Sequence, residues 1–331
     1  MSVGTGTATA NLPTLDEVRA AAEVVYRLMS PTPQYRWPLL CERLGTEVWV
    51  KHENHTPIGA FKARTAIVYT EKLLRREPDT RGLIAATRGN HGQSVALAAQ
   101  RNKLDCIIVV PRGNSVDKNA AMRAQGARLV EHGDDFQSSL EHAIKLAGEL
   151  GYHLVPPYHR NIVLGIATYW LELFTAVANI DVVYVPIGMG SGICSASAMR
   201  NALGLQTKIV GVVSEQAPMY ALSFEQRRIV EAPSLTVLAD GLACRLGNEE
   251  ALQVMLENVD HMVRVSDAEV ADAMRAFFKD THNVVEGAGA AALASATKEA
   301  AQLKGKHVAL IATGGNVDSD VFARVLTNKP A

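Results

Sequence analysis

Short apolar runs rich in β-branched residues alternate with amphipathic stretches along most of this 331-residue chain, and no other feature narrows the fold so far. A strand, a helix and a further strand return the chain to one sheet in parallel. Sustained alternation therefore predicts an α/β protein with mostly parallel, twisted sheets flanked by helices. Strands are expected at 47–51, 83–86, 106–110, 129–131, 153–155, 182–186, 209–214 and 307–312. Amphipathic segments at 15–29, 93–101, 136–150, 166–178, 268–279 and 288–303 are each long enough for several helical turns. No clear linker appears, so two domains in a chain of this length are expected to be nested, one inserted into the other.

Composition excludes several classes. Lys plus Arg total 33 against 34 Asp plus Glu, a net charge of −1, with no block of like charge to attract nucleic acid or an anionic membrane. The longest uncharged stretch, 182–199, is interrupted by Pro186 and three glycines and reads as strand and loop rather than a membrane span. Residues 1–12 are small and polar, without the basic start and apolar centre of a signal peptide, and are expected to be a frayed tail on a cytoplasmic protein. Cys41, Cys106, Cys194 and Cys244 lie 50 or more residues apart, a spacing that supports neither a zinc cluster nor a disulfide framework.

Five glycine-bearing motifs stand at expected junctions of strand and helix. In PIGAFKARTA (57–66), Lys62 sits among small and apolar neighbours. Burial there would lower its pKa and leave a neutral amine able to attack an aldehyde, although a lone lysine is more often a solvated surface residue. AATRGNHGQS (85–94) offers backbone N–H groups at a helix start, with Thr87, Asn90 and His91 beside them, as a seat for a carboxylate or simply as a capped turn. VYVPIGMGSGIC (183–194) suits a phosphate. It also invites comparison with a dinucleotide-binding loop, but Ile193 stands where that pattern requires its third glycine. HNVVEGAGAAALA (282–294) crowds small residues behind Glu286, as close helix packing would, and ALIATGGNVDSD (309–320) brings Thr313 to the end of an apolar strand.

In this order the five motifs resemble the fold-type-II pyridoxal-phosphate enzymes, in particular the threonine and serine dehydratases. The resemblance runs from about residue 14 to residue 327 and takes in lesser features at 51–53, 118–126 and 238–243 (LADGLA, with Gly241). It implies pyridoxal 5'-phosphate joined to Lys62 as a Schiff base, with Phe61 packed beside it and Asn90 bonded to the ring hydroxyl. Gly188, Met189, Gly190, Ser191 and Gly192 would hold the phosphate, with Gly241 also at the cofactor, and Thr313 would face the pyridine nitrogen. Thr87, Arg88, Gly89, Asn90 and His91 would receive the substrate. The implied reaction converts a β-hydroxy α-amino acid to a 2-oxo acid and ammonia. β-Replacement and racemisation are the alternatives on the same fold, and nucleotide binding by the Gly188 loop is the alternative outside it.

The resemblance further implies a large domain of residues 1–73 and 158–331, a small domain of 74–157 closing on the substrate carboxylate, and a homodimer. Some relatives hold a cation after the strand ending at Glu215, but Tyr220 and Ala221 stand near the second ligand position and no metal is expected. The sequence runs 18 residues beyond Thr313, and no C-terminal effector module is expected. Arg88 occupies the place of a racemase's second acid/base and cannot act as one, because guanidinium stays protonated. Ala60, Thr65, His159, Ile166 and Ala167 depart from the family's more polar pattern and are expected to widen the substrate pocket, admitting phenylserine beside threonine and serine.

Overall fold

The computed structural model describes residues 11–328, arranged around two sheets. The strands are β1 (Gln34–Arg36), β2 (Glu47–Lys51), β3 (Gly82–Ala86), β4 (Asp105–Val110), β5 (Arg128–Glu131), β6 (His153–Leu154), β7 (Val182–Pro186), β8 (Lys208–Ser214), β9 (His261–Val265) and β10 (His307–Ile311). Six of them form one sheet in the order β1-β2-β10-β7-β8-β9, and four form the other in the order β5-β4-β3-β6. Every pairing is parallel except that of β1 with β2. The chain leaves the larger sheet after β2, builds the whole of the smaller one and returns at β7.

Strands covered on both faces by crossover helices need apolar residues at every position. Accordingly β3 is buried throughout and β8 is buried at all but its first residue. Two strands escape the sequence reading. β1 has only three residues, and β9 carries His261 and Arg264 at an edge where only two of its five residues are buried.

Helix boundaries shift for identifiable reasons. The helix expected from 166 begins at Arg160, where His159 accepts a hydrogen bond from the Asn161 amide at 3.0 Å. The stretch 288–303 divides into Gly287–Lys298 and Ala300–Leu303. The expected frayed tail falls mostly on residues 1–10, outside the described residues. Its last two positions are anchored: Asn11 donates to Glu250 at 2.6 Å and Leu12 packs on the core. Among the described residues no helix is long and apolar enough to cross a membrane.

A buried ion cluster ties β2 to the helices Ala63–Arg76 and Arg160–Ala176. Arg64 reaches Glu53 at 2.8 Å and Glu172 at 2.6 Å, and Lys51 reaches Glu172 at 2.6 Å, all with side chains at most 6% exposed. Two cations thus balance two carboxylates out of contact with water. Removing one partner leaves an uncompensated buried charge, which costs far more than the pair gains. Arg64→Met should lower the unfolding free energy by about 3–5 kcal/mol in denaturant titration; a loss under about 1 kcal/mol would show the cluster to be incidental.

Candidate active site

The C-terminal ends of β3, β7 and β10 open onto one cavity, where parallel α/β sheets bind ligands. All the residues that the resemblance assigns to cofactor or substrate line it: Phe61 and Lys62, the run from Thr87 to His91, the run from Gly188 to Gly192, Gly241 and Thr313. Segments far apart in sequence are therefore brought to one place.

Lys62 lies immediately before the helix Ala63–Arg76 and is fixed by its backbone. Phe61 donates its amide to the Thr313 carbonyl at 2.9 Å, Gly315 donates to the Gly59 carbonyl at 2.9 Å, and Ala60 bridges to Gly314. The Lys62 carbonyl accepts from Thr65 Oγ1 at 2.8 Å and from Ser94 Oγ. Its amine lies 5.1 Å from the centre of the Phe61 ring, with no carboxylate within 4 Å among the described residues. Burial without a counter-ion lowers its pKa from 10.5 to about 8. Cys244 is no substitute for a carboxylate, since burial pushes its thiol up to about 12.

Two helix starts face the cavity without a side-chain cap. One belongs to Asn90–Arg101, the other to Ser191–Ala202. Each leaves backbone N–H groups for an anion. At the second, backbone crowding dictates glycine. A Cβ on Gly188 would lie 2.5 Å from the Gly241 carbonyl, and Gly190 adopts φ +94° with Ala251 and Met255 against it. At the first, Thr87 Oγ1 already accepts from the Gly89 amide at 2.9 Å, so the amides of the following residues remain for a ligand. His91 is held neutral, its pKa drawn down to about 3 by burial and by the charge of Lys62.

Asn90 is oriented from both sides, donating to Glu286 at 2.6 Å and accepting from Asn316 at 2.8 Å. One amide hydrogen is left for a ligand. Lys118 crosses from the smaller sheet's side to Asp240 at 2.6 Å and Glu286 at 3.5 Å. Burial pushes the Glu286 carboxyl up, while Lys118 and Asn90 draw it down. The motif reading gives these three charged residues no site role. Nothing local in the sequence pairs residue 118 with residue 240 or 286, although all three lie within or beside its motifs.

The departures expected to widen the pocket do not line it. Ala60, Ile166 and Ala167 are wholly buried, Thr65 bonds Ser94 at 3.1 Å behind Lys62, and His159 caps a helix and packs on Tyr69. The apolar wall comes instead from Phe136, Pro157, Tyr169, Met189 and Leu242. Glu215 pairs with Lys298 at 3.6 Å, and the Tyr220 hydroxyl donates to the Met189 carbonyl at 3.1 Å beneath the glycine loop.

The sequence from residue 25 to residue 314 matches the family described as pyridoxal-phosphate dependent enzymes. The chain belongs to that family. It is 31% identical to the L-threonine ammonia-lyase of Thermotoga maritima over 95% of this chain and 78% of that one. It is 32% identical to the L-threo-3-hydroxyaspartate ammonia-lyase of Saccharomyces cerevisiae over 96% of this chain and 98% of that one. The structure of threonine deaminase isoform 2 from Solanum lycopersicum superposes with a TM-score of 0.86 at 29% identity, covering 96% of this chain and 94% of that one. Other curated relatives are longer, and the chain spans about half the length of one plant threonine dehydratase (50%).

The cofactor of this family member is pyridoxal 5'-phosphate, and its relatives place it among the dehydratases, or ammonia-lyases. The residues present fit that group: a desolvated amine for an aldehyde, an uncapped glycine cradle for a phosphate, and Asn90 and Thr313 for the ring. Only the neutral amine attacks an aldehyde. The rate at which apoenzyme captures added cofactor, followed by visible absorbance, should therefore rise with pH, pass half its maximum near pH 8 and level off by about pH 9. A rise continuing to pH 10 would contradict the desolvated amine.

Proposed function

We propose that this enzyme is a dehydratase of β-hydroxy α-amino acids, releasing a 2-oxo acid and ammonia, with Lys62 as its catalytic base. The observation that carries the reading is the Lys62 amine, buried without a counter-ion in a cavity that also receives two uncapped helix starts. When bound, pyridoxal phosphate supplies an aldehyde for the substrate amine and a ring that draws electrons from Cα.

The chain's own residues do the rest. The helix start at Asn90–Arg101, with Thr87, holds the substrate carboxylate and thereby orients Cα. Lys62 Nζ, with its pKa near 8, takes the Cα proton at neutral to mildly alkaline pH. The amides from Gly188 to Gly192 hold the phosphate. Thr313 lines the cavity and would offer the cofactor's ring nitrogen a hydroxyl, a weaker partner for a proton than a carboxylate.

Lys118, bonded to Asp240 and Glu286, holds the unit of residues 74–157 against the large one, of 1–73 and 158–331, and closure there excludes water from the reacting carbon. Arg88 offers no second base, so racemisation should be a minor activity. By the family resemblance we assign the enzyme to a homodimer.

Lys62→Ala should cut release of 2-oxo acid from threonine, serine and phenylserine by about 10²- to 10⁴-fold or more, the range for loss of a positioned acid/base. Undiminished ammonia release from the purified variant would refute the role given to the lysine.

A further inference from the structure

A backbone loop offers its N–H groups to an anion only when its carbonyls are engaged elsewhere. In the loop after β7, the Gly190 carbonyl accepts from the Cys194 amide at 3.0 Å, the first bond of the helix Ser191–Ala202. The Gly192 carbonyl accepts from Ser195 Oγ at 2.6 Å and Trp170 Nε1 at 3.3 Å. One residue ahead of the helix cap there is no helical turn to hold a carbonyl. Of the described side chains, Tyr220 alone hydrogen-bonds the backbone of 187–190, donating to the Met189 carbonyl at 3.1 Å.

The direction of that bond is fixed. The Asn248 amide can only donate, and it reaches the Tyr220 oxygen at 2.8 Å; the Met189 carbonyl can only accept, so the hydroxyl proton goes to Met189. Asn248 itself caps the helix Glu249–Asn258, its side chain accepting from the Ala251 amide at 2.9 Å, so the hydroxyl is anchored to backbone. The Tyr220 ring is 1% exposed, and a Cβ on Gly247 would lie 3.0 Å from it. Burial pushes the hydroxyl's pKa up, so it keeps its proton in the neutral and mildly alkaline range.

In a trans peptide the C=O and the N–H point in opposite directions. A Met189 carbonyl held toward Tyr220 therefore turns the Gly190 N–H away from it. Met189 and Gly190 line the cavity, Tyr220 does not, and the Gly190 amide has no protein acceptor among the described residues. Resting on the reading that this loop seats the cofactor's phosphate, we propose that Tyr220 is a positioning residue for that phosphate, holding the Met189–Gly190 peptide with its N–H toward the cavity. The helix aims the amides of Ser191 and Gly192; Tyr220 aims the one before them.

The test strips the full-length enzyme of cofactor and compares its equilibrium binding of pyridoxal phosphate and of pyridoxal, which lacks the phosphate, by visible absorbance at one pH. The wild type should bind pyridoxal phosphate far more tightly. Tyr220→Phe keeps the ring and removes the hydroxyl. It should weaken pyridoxal phosphate by about tenfold, the effect of leaving one buried carbonyl unpaired, and change pyridoxal by less than about twofold. Tyr184→Phe is the control. That side chain is fully buried and donates to Glu299 at 2.7 Å, outside the cavity lining, so both affinities should stay within about twofold of the wild type.

A second measurement needs no variant, and it decides alone if Tyr220→Phe fails to fold. In hydrogen exchange on the wild-type chain, bound pyridoxal phosphate should slow the Gly190 amide by about tenfold or more relative to bound pyridoxal. The proposal is overturned if Tyr220→Phe binds pyridoxal phosphate as the wild type does, if it loses pyridoxal to the same degree, or if the phosphate leaves exchange at Gly190 unchanged. Equal affinity of the wild type for the two compounds would refute the phosphate seat itself, and the role of Tyr220 with it.

Discussion

Withdrawal of one ammonium group from water is the constraint around which this molecule is organised. An isolated lysine keeps its proton and is useless as a nucleophile or base near neutrality, so the fold must hold Lys62 where hydration is lost without offering a carboxylate in exchange. It does so with backbone. The Lys62 loop is clamped to the segment after β10 by the Phe61–Thr313 and Gly315–Gly59 hydrogen bonds, and to the helix Asn90–Arg101 through Ser94. Two residues further on, Arg64 anchors the helix Ala63–Arg76, which begins just after Lys62, in the cluster with Glu53 and Glu172. The two carboxylates of that cluster are held by Arg64 and Lys51, and neither pairs with the Lys62 amine.

The same separation of charge runs through the cavity. Lys118 gathers Asp240 and Glu286 to itself, and Glu286 in turn orients Asn90. Anions are left to the helix starts, which carry partial positive charge but no proton to exchange. A site arranged in this way suits phosphate and carboxylate while leaving its desolvated amine free of a counter-ion.

Much of this was legible in the sequence. Buried parallel strands are continuous apolar runs, so β2, β3, β7 and β10 could be read from pattern, while the gathering of the glycine-rich segments after them into one site was implied by the resemblance carried by their order. The ion cluster could not. Arg64 and Glu172 are 108 residues apart, and nothing in either neighbourhood signals the other. The crossing from Lys118 to Asp240, 122 residues on, is of the same kind. The pocket assignments at Ala60, Thr65, His159, Ile166 and Ala167 failed for a related reason. Nearness to a motif along the chain does not decide which face a side chain presents, and Thr65, three residues beyond Lys62, turns to Ser94 rather than to the cavity.

The central claim is that Lys62, and no other amine, carries the cofactor at rest. Borohydride reduction of the yellow holoenzyme followed by peptide mass spectrometry tests it directly. The account predicts a single reduced pyridoxyl adduct on the peptide containing Phe61, Lys62 and Ala63. An adduct on Lys118 or any other lysine, or a cofactor that washes away unreduced, would contradict it.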